Sequence, residues 1–174
     1  MQHRVIWFTG KPAAGKTTLA DALARCLAPP AQPVPVLRLD GDGFRARFGN
    51  DLGFSVEDRY ENLKRAATIA AWASYDTIVI CSFVSPYEQG REMAHELCGG
   101  RFFLVEVDCP TEVCEERDPK GLYAKARAGE IPDFTGVSAP YERPAKPDVV
   151  VDTSVASVGQ CVEKIAGVLT GAAG

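Results

Sequence analysis

The sequence predicts an α/β fold of three layers, with a mainly parallel sheet, helices on both of its faces and a lid segment. Three observations lead to this prediction. Short apolar runs alternate with segments of helical periodicity along the 174 residues. The run at residues 77–83 is rich in β-branched residues, as is typical of a strand buried on both faces. A glycine-rich stretch at residues 10–18 joins an apolar strand to a helix.

We expect these elements to form a single domain over residues 1–174, which is long enough to bury a core. The predicted strands are residues 5–8, 36–39, 77–83, 102–107 and 148–151. The predicted helices are residues 18–27, 55–74, a helix that starts at Ser85, a short helix at 111–117 and a terminal helix. The terminal helix carries an apolar stripe with a period of 3.6 residues, formed by Val158, Cys161, Val162, Ile165, Val168 and Leu169.

Local signals set the expected helix boundaries. Ser55 is the expected N-cap of the helix at 55–74, with Asp58 three residues later as in a capping box. Ser85 and Pro86 are the expected cap and first residue of the next helix. Thr111 is the expected cap of the short helix. The first helix should end at the proline-rich segment 29–35, and the chain should fray from residue 171.

The stretch GKPAAGKTT at residues 10–18 matches the P-loop pattern G-x-x-x-x-G-K-[ST]. Its place between a strand and a helix lets backbone N–H groups and the positive end of the helix hold phosphate oxygens. Lys16 would reach the β- and γ-phosphates, and the Thr17 hydroxyl would be a ligand of Mg²⁺. The alternative is a glycine-rich turn that binds nothing. The pattern predicts a P-loop NTPase fold and does not distinguish a kinase from a GTPase or an ATPase.

Composition excludes several classes of partner. The net charge is −4, so we expect no surface for a nucleic acid. We expect no membrane segment either, because no apolar run approaches the ~20 residues that cross a bilayer. Residues 1–4 lead directly into the first strand, so no signal peptide is expected. The six cysteines contain no C-x-x-C pair, which favours buried free thiols in a reducing cytoplasm over a metal site.

In parallel α/β sheets, ligands bind beyond the carboxyl ends of the strands. The predicted strand ends are followed in order by the P-loop, residues 40–43, Ser85 and the region after Asp108. Residues 40–43 are expected to form a turn that carries two carboxylates, Asp40 and Asp42. A carboxylate at this edge would hold Mg²⁺ through water or accept a proton from an attacking hydroxyl. Turn chemistry alone is the alternative.

Charged and aromatic side chains follow in segments that are predicted to be polar. A basic group would bind phosphate or sulfate, or form a solvated helix face: Arg45, Arg47, Arg59, Lys64 and Arg65. Residues 118–147 lack strong periodicity, so we expect an irregular lid at about 117–147. Its basic residues would close over phosphates or form a surface charge run: Arg117, Lys120, Lys125 and Arg127. Three aromatic residues would stack on a base or contact a small satellite core: Phe54, Tyr123 and Phe134.

Many of these segments resemble adenylylsulfate (APS) kinases, from residue 5 to about residue 153. Outside the lid the similar segments are DGD at 40–42, LGFS at 52–55, DR at 58–59, EN at 61–62, KR at 64–65 and SPY at 85–87. Towards and within the lid they are CEERDPKGLY at 114–123, ARAGEI at 126–131, FTG at 134–136 and YE at 141–142. The lid segments KGLY, AR and FTG are highly specific to that family.

The resemblance implies an activity and a set of site residues. The family transfers the γ-phosphoryl group of MgATP to the 3′-hydroxyl of adenosine 5′-phosphosulfate (APS) and forms PAPS. ATP and APS are thus the implied substrates, Mg²⁺ the implied cofactor and a homodimer the implied assembly. The implied ATP-binding residues are Gly10, Ala13, Ala14, Gly15, Lys16, Thr17, Thr18 and Arg117, with Thr17 as metal ligand. The implied substrate-binding residues are Asp42, Arg45, Phe54, Arg59, Asn62, Val84, Ser85, Lys120 and Phe134.

The resemblance also implies individual roles. The implied catalytic residues are Lys16, Asp42 and Ser85. Asp42 would act on the 3′-hydroxyl or on a water held by the metal. Ser85 stands where a phosphoserine intermediate has been suggested, but direct in-line transfer needs none, so we expect Ser85 to bind substrate and cap a helix. Phe54 and Phe134 would sandwich the adenine of APS, and Lys120 would close onto the substrate.

The chain departs from the family pattern at two places. The family usually has GLSGxGKTT where this chain has GKPAAGKTT. Four replacements lie around the expected acceptor pocket: Gly43, Gly49, Lys64 and His95. The alternative function is therefore a related P-loop kinase that acts on another nucleotide-linked or small hydroxyl acceptor. A third hypothesis is a module that binds a nucleotide without catalysis. The presence of Lys16, Thr17 and Asp42 argues against it.

Overall fold

The computed structural model describes residues 4–28 and 34–171, and its centre is a five-stranded sheet. The strands are β1 Val5–Thr9, β2 Val36–Asp40, β3 Ile78–Ser82, β4 Phe102–Asp108 and β5 Val149–Asp152. Their order in the sheet is β2-β3-β1-β4-β5, and every neighbouring pair is parallel. All carboxyl ends therefore meet at one edge of the sheet, where the sequence predicts the site.

Seven helices are described, and they cover both faces of the sheet. They are α1 Lys16–Leu27, α2 Gly41–Phe48, α3 Val56–Ala73, α4 Glu88–Cys98, α5 Thr111–Arg117, α6 Leu122–Arg127 and α7 Val158–Thr170. Residues of α1, α5, α6 and α7 contribute to one hydrophobic cluster, and those of α2, α3 and α4 to a second. The central strand β1 joins the two clusters, because its side chains alternate between the faces of the sheet. Ile6 and Phe8 belong to the first cluster, and Val5 and Trp7 belong to the second.

The predicted three-layer α/β fold is confirmed, and all five strands agree with their predicted bounds to within two residues. Ser55 is the N-cap of α3, because its side chain accepts a hydrogen bond from the Asp58 amide. Helix α7 buries Cys161, Val162, Ile165 and Leu169 of the predicted stripe. The predicted stripe included two residues too many, since Val158 and Val168 are exposed. Residues 29–33 of the proline-rich segment and residues 172–174 of the expected frayed end lie outside the described residues.

The predicted turn at residues 40–43 is wrong, because helix α2 begins at Gly41. Asp40 ends β2 and is also the N-cap of α2, and its side chain accepts a hydrogen bond from the Asp42 amide at 3.2 Å. A carboxylate that satisfies a free N–H of the first turn stabilises a helix start. Asp42 thus lies in the first turn of a helix, where its backbone is fixed.

Ser85 and Thr111 are not helix caps. Helix α4 begins three residues after Ser85, with Tyr87 as N-cap, and the Ser85 hydroxyl accepts a hydrogen bond from the Trp7 indole N–H at 2.9 Å. Thr111 is the first residue of α5, with Pro110 as N-cap. Its hydroxyl accepts a hydrogen bond from Lys11 Nζ at 2.9 Å. In both cases a partner distant in sequence binds the hydroxyl that the local pattern assigned to a cap.

The predicted lid is not wholly irregular, because it contains helix α6. The Asp118 carboxylate fixes the start of this helix. It accepts hydrogen bonds from the amides of Leu122, Tyr123 and Ala124 at 2.8, 3.0 and 3.2 Å. Six residues are too few to show a helical period, which explains why the helix was not predicted.

The six cysteines are free thiols, as predicted, and all except Cys26 are buried. Among residues 4–28 and 34–171, no cluster of histidine, cysteine and acidic residues could hold a metal ion. Within the same ranges, no helix combines the length and the apolar character needed to cross a bilayer.

Candidate active site

A cavity of about 870 Å³ opens at the carboxyl edge of the sheet. Its wall combines the loop after β1, the ends of β2 and β3, the lid and residues that follow β5. This is the edge at which the topology brings together residues that are far apart in sequence. The volume is within the range of small-molecule sites, so the cavity can hold ligands of nucleotide size.

The P-loop surrounds a buried lysine. Helix α1 begins at Lys16, and its N-cap Gly15 has the left-handed conformation with φ 95°. Gly10 also has a positive φ of 152°, and a Cβ there would lie 2.5 Å from the Val107 carbonyl oxygen. Only glycine fits so close to the neighbouring strand. Lys16 Nζ donates to the carbonyl oxygens of Gly10 at 2.9 Å and Lys11 at 2.7 Å, which fixes its ammonium group within the loop.

Burial lowers the pKa of Lys16 to about 8, and the nearby carboxylates of Asp40 and Asp42 offset this effect only in part. A buried ammonium loses its hydration, so its charged form is disfavoured until an anion compensates. Phosphate oxygens beside Lys16 would supply that compensation. The geometry and the pKa of this lysine are those of a cation prepared for an anionic ligand.

This pKa predicts proton uptake when a nucleotide binds. Phosphate oxygens raise the pKa of Lys16, so binding of MgATP should take up close to one proton at pH 9 and only about 0.1 proton at pH 7. The affinity for MgATP should accordingly fall as the pH rises above about 8. Calorimetry in two buffers of different ionisation enthalpy measures the uptake, and Lys16→Arg should abolish its pH dependence. Equal uptake at both pH values would contradict the assignment.

Asp40 and Thr17 form a pair of oxygen groups beside the P-loop. Thr17 Oγ1 donates to Asp40 Oδ2 at 2.9 Å, and Ser82 Oγ donates to the same oxygen at 3.2 Å. Burial raises the pKa of Asp40, but these bonds and those from the amides of Asp42 and Gly43 outweigh burial, so the pKa is lowered. Asp40 is therefore an anion at neutral pH. Hydroxyl and carboxylate oxygens are the donors that Mg²⁺ prefers, so this pair fits a magnesium ion.

Asp42 lies two residues further on, in the first turn of α2, and contacts the lid. Its carboxylate forms an ion pair with Lys120, and both side chains are largely exposed to the cavity and solvent. The hydrogen bond that Lys120 donates to the Asp42 carboxylate raises the pKa of Lys120. Asp40 is held by the P-loop and β3, whereas Asp42 has its contact with the lid. The two carboxylates thus occupy different parts of the site.

Phe54 and Arg59 line the cavity between α3 and the lid. Arg59 Nε donates to the Phe54 carbonyl at 2.9 Å, and its second guanidinium nitrogen donates to the Asp133 carbonyl at 2.7 Å. The Arg59 guanidinium also lies 5.6 Å from the centre of the exposed Phe54 ring. Phe134 lines the same cavity from the lid and packs edge-on against Tyr123, with ring centres 5.0 Å apart. Two aromatic side chains and a guanidinium group therefore line the same part of the cavity.

Most of the predicted site residues line this cavity. They are Ala13, Gly15, Lys16, Thr17, Thr18, Asp42, Phe54, Arg59, Val84, Arg117, Lys120 and Phe134. The other predicted residues are not on its wall: Gly10, Ala14, Arg45, Asn62 and Ser85.

The residues off the wall have identifiable contacts. Gly10 supplies a carbonyl to Lys16, and the Ala14 carbonyl accepts a hydrogen bond from Thr153 at 2.8 Å. Ser85 is buried, and its hydroxyl accepts a hydrogen bond from the Trp7 indole.

Arg45 donates to the carbonyls of Leu52 and Gly53, and its guanidinium lies 4.5 Å from the centre of the Phe54 ring. Asn62 is buried, and its Oδ1 has no hydrogen-bond partner among the described residues. Arg45 thus supports Phe54 rather than facing the cavity.

Sequence reasoning missed Thr153. This residue directly follows β5, lines the cavity and contacts both the P-loop and Arg117. Arg117 donates to the Thr153 hydroxyl at 3.1 Å and to its carbonyl at 2.6 Å. The rule that places ligands beyond parallel strand ends would have found Thr153, had it been applied to the last strand as well.

A family model and curated relatives match most of this chain. The family model described as adenylylsulphate kinase matches residues 2–152. An adenylyl-sulfate kinase of Halothermothrix orenii is 48% identical over 161 residues, which cover 92% of this chain and 85% of that protein. One of Clostridium kluyveri is 46% identical over 162 residues, which cover 92% of this chain and 80% of that protein.

Solved structures give the same result. The APS kinase of Mycobacterium tuberculosis in complex with AMPPNP and APS superposes with a TM-score of 0.89 and 38% identity, covering 97% of this chain and 98% of that one. Shikimate kinase of Aquifex aeolicus is 18% identical with a TM-score of 0.55, covering 97% of this chain and 98% of that one, and shows a shared fold alone. The family model and the relatives together establish that the chain belongs to the adenylylsulphate kinase family.

Proposed function

We propose that this chain transfers the γ-phosphoryl group of ATP to the 3′-hydroxyl of adenosine 5′-phosphosulfate and so forms PAPS. One observation carries the proposal. A single cavity presents a P-loop with a buried lysine together with a second set of groups suited to a nucleotide: Asp42, Phe54, Arg59 and Phe134. A kinase that joins two nucleotide substrates needs both sets within one cavity, because in-line transfer requires the donor and the acceptor side by side.

The P-loop half of the cavity would hold ATP. Lys16 would exchange its two backbone carbonyl partners for phosphate oxygens and neutralise charge that develops on the transferred group. Thr17 and Asp40 would hold Mg²⁺, Asp40 most simply through water, because their oxygens lie side by side at the loop. When bound, Mg²⁺ supplies charge neutralisation across the phosphates. Arg117 and Thr153 would border the nucleotide on the side of β5.

The other half would hold APS. Phe54 and Phe134 would stack on its adenine, and Arg59 would bind its anionic group. Asp42 would accept the proton of the 3′-hydroxyl as that oxygen attacks the γ-phosphorus. Lys120, which is already paired with Asp42, would move onto the substrate anions once they arrive. Ser85 stays off the reaction path in this proposal, because its hydroxyl is buried against Trp7.

The four departures from the family pattern affect the acceptor only indirectly. In the described part of the chain, Gly43, Gly49, Lys64 and His95 are not on the cavity wall. The presence of glycine at position 49 has a local structural explanation, because a Cβ there would lie 2.5 Å from Asn62 Oδ1. His95 packs edge-on against Phe102, 5.4 Å between ring centres, at the far end of α4. These positions therefore give no support to the alternative of a different hydroxyl acceptor.

An acceptor panel tests the proposal. We expect kcat/KM for APS to exceed that for AMP and for simple hydroxyl compounds such as shikimate and gluconate by about 100-fold or more, because only APS matches both the stacking and the anion contacts. A coupled assay of ADP release measures each acceptor at fixed MgATP. A hydroxyl compound without an adenylyl group that is used as well as APS would support the alternative kinase. Binding of ATP without transfer to any acceptor would support the module without catalysis.

Three further features are proposed, the first two from the sequence itself and the third from the family resemblance. We propose that the chain acts as one catalytic domain with a lid at about residues 117–147, that it is cytoplasmic, and that it forms a homodimer. The solved relatives include an APS kinase of Thiobacillus denitrificans described as hexameric, which is 28% identical with a TM-score of 0.71, covering 97% of this chain and 29% of that one. Light scattering coupled to size exclusion measures the mass of the assembly and tests the dimer directly.

A further inference from the structure

The P-loop of this chain contains a strained residue, Ala13, at a position where the family usually has glycine. Ala13 has a φ of 60°, in the left-handed region. The family pattern usually reads GLSG where this chain has GKPA, so Ala13 stands at the position of its second glycine. Such a conformation costs free energy in a residue with a Cβ and persists only when surrounding contacts hold it. The loop therefore requires anchors from outside its own sequence.

Hydrogen bonds between the loop and three distant elements provide these anchors. The Tyr123 hydroxyl of lid helix α6 donates to the Pro12 carbonyl at 3.1 Å. The Thr153 hydroxyl, directly after β5, donates to the Ala14 carbonyl at 2.8 Å. Lys11 Nζ donates to the Cys109 carbonyl at 3.0 Å and so ties the loop to the end of β4. Two of the bonds thus hold the carbonyls on either side of Ala13.

The orientation of a carbonyl determines the orientation of the next amide. In a planar trans peptide the N–H points away from the C=O of the preceding residue. Tyr123 holds the Pro12 carbonyl, so the Ala13 N–H points away from Tyr123. In the same way Thr153 holds the Ala14 carbonyl, so the Gly15 N–H points away from the Thr153 hydroxyl. Ala13 and Gly15 both line the cavity. The Ala13 and Gly15 amides therefore belong to residues of the cavity wall, where a ligand can reach them.

We propose that Tyr123 and Thr153 are positioning residues that orient the Ala13 and Gly15 amides of the P-loop towards the nucleotide phosphates. This inference rests on the proposed ATP site. It also gives the lid a role in shaping the phosphate site, because Tyr123 belongs to the lid and contacts the P-loop directly.

Tyr123 is itself rigidly placed, as a positioning residue must be. Its side chain is fully buried, and the Asp118 carboxylate accepts a hydrogen bond from its amide at 3.0 Å. Its ring packs against Phe134, which lines the cavity. The Tyr123 ring thus stays in place when only the hydroxyl is removed.

The test is Tyr123→Phe, with binding of MgATP and of adenosine measured separately. Loss of the hydroxyl leaves a carbonyl unpaired and frees the peptide to rotate, so MgATP should bind about tenfold more weakly. Adenosine, which has no phosphates, should bind with unchanged affinity. Tyr75→Phe is the matched control, because Tyr75 is exposed next to the start of β3, at the opposite edge of the sheet. Thr153→Val should also weaken MgATP binding, and Thr153→Ser should restore it.

Each other result is equally informative. Tyr123→Phe with wild-type MgATP affinity would overturn the inference. Equal loss of MgATP and adenosine affinity would also overturn it, since that pattern indicates general loosening of the cavity. Equal MgATP affinities of Thr153→Val and Thr153→Ser would overturn the part that concerns Thr153. A wild-type protein that does not bind MgATP would instead reject the proposed ATP site itself.

Discussion

Lys16→Ala should lower kcat/KM for MgATP by about 1,000-fold, which corresponds to about 4 kcal/mol of transition-state stabilisation. The variant removes the buried ammonium that donates to two P-loop carbonyls and would transfer to phosphate oxygens. Charge that develops on the transferred phosphoryl group would then lack its cationic partner. Steady-state kinetics with APS in excess measure the loss.

The matched control is Lys64→Ala, which removes a lysine on α3 that is exposed and off the cavity wall. This control should keep the wild-type rate. Thermal unfolding and adenosine binding show whether Lys16→Ala retains its fold. A folded Lys16→Ala variant with a rate within tenfold of wild type would remove Lys16 from the proposed mechanism.

Asp42→Asn should lower kcat by about 1,000-fold, because the amide keeps the shape of the side chain but cannot accept the proton of the 3′-hydroxyl. It also removes the ion pair with Lys120. The dependence of the rate on Mg²⁺ concentration should stay as in the wild type, since Thr17 is hydrogen-bonded to Asp40, whereas Asp42 is paired with Lys120. Titration with Mg²⁺ at saturating ATP and APS measures both properties.

Asp40→Asn is the companion variant, and it should raise the Mg²⁺ concentration needed for half-maximal rate. Asp40 shares a hydrogen bond with Thr17 and is held as an anion by its donors. The pair of variants therefore separates the two carboxylates by role. Rescue of Asp42→Asn, but not of Asp40→Asn, by high Mg²⁺ would show that the roles are exchanged.

The predictable part of the fold and site came from local patterns. The P-loop is a contiguous stretch of nine residues between a strand and a helix, so its spacing specifies its structure. Strands that are buried on both faces, such as β3, produce apolar runs that need no knowledge of their neighbours. The rule for parallel strand ends then placed Asp40 and Asp42 at the cavity.

The mistaken part came from contacts between distant residues. Ser85-Pro86 has the local chemistry of a helix start, but the Trp7 indole, 78 residues away, binds the hydroxyl. Thr153 reaches the P-loop across 139 residues. Helix α6 depends on three hydrogen bonds to one aspartate rather than on an apolar period. No local pattern reports such contacts, because they exist only once the sheet has brought its edge together.

The central claim is that this cavity transfers a phosphoryl group to the 3′-hydroxyl of APS, and identification of the product tests it most directly. The protein is incubated with MgATP and APS, and the products are followed by phosphorus NMR. The account predicts ADP and a new 3′-phosphate monoester in equal amounts, with the phosphosulfate group intact. Release of inorganic phosphate alone, or a phosphate at any other position of APS, would contradict it.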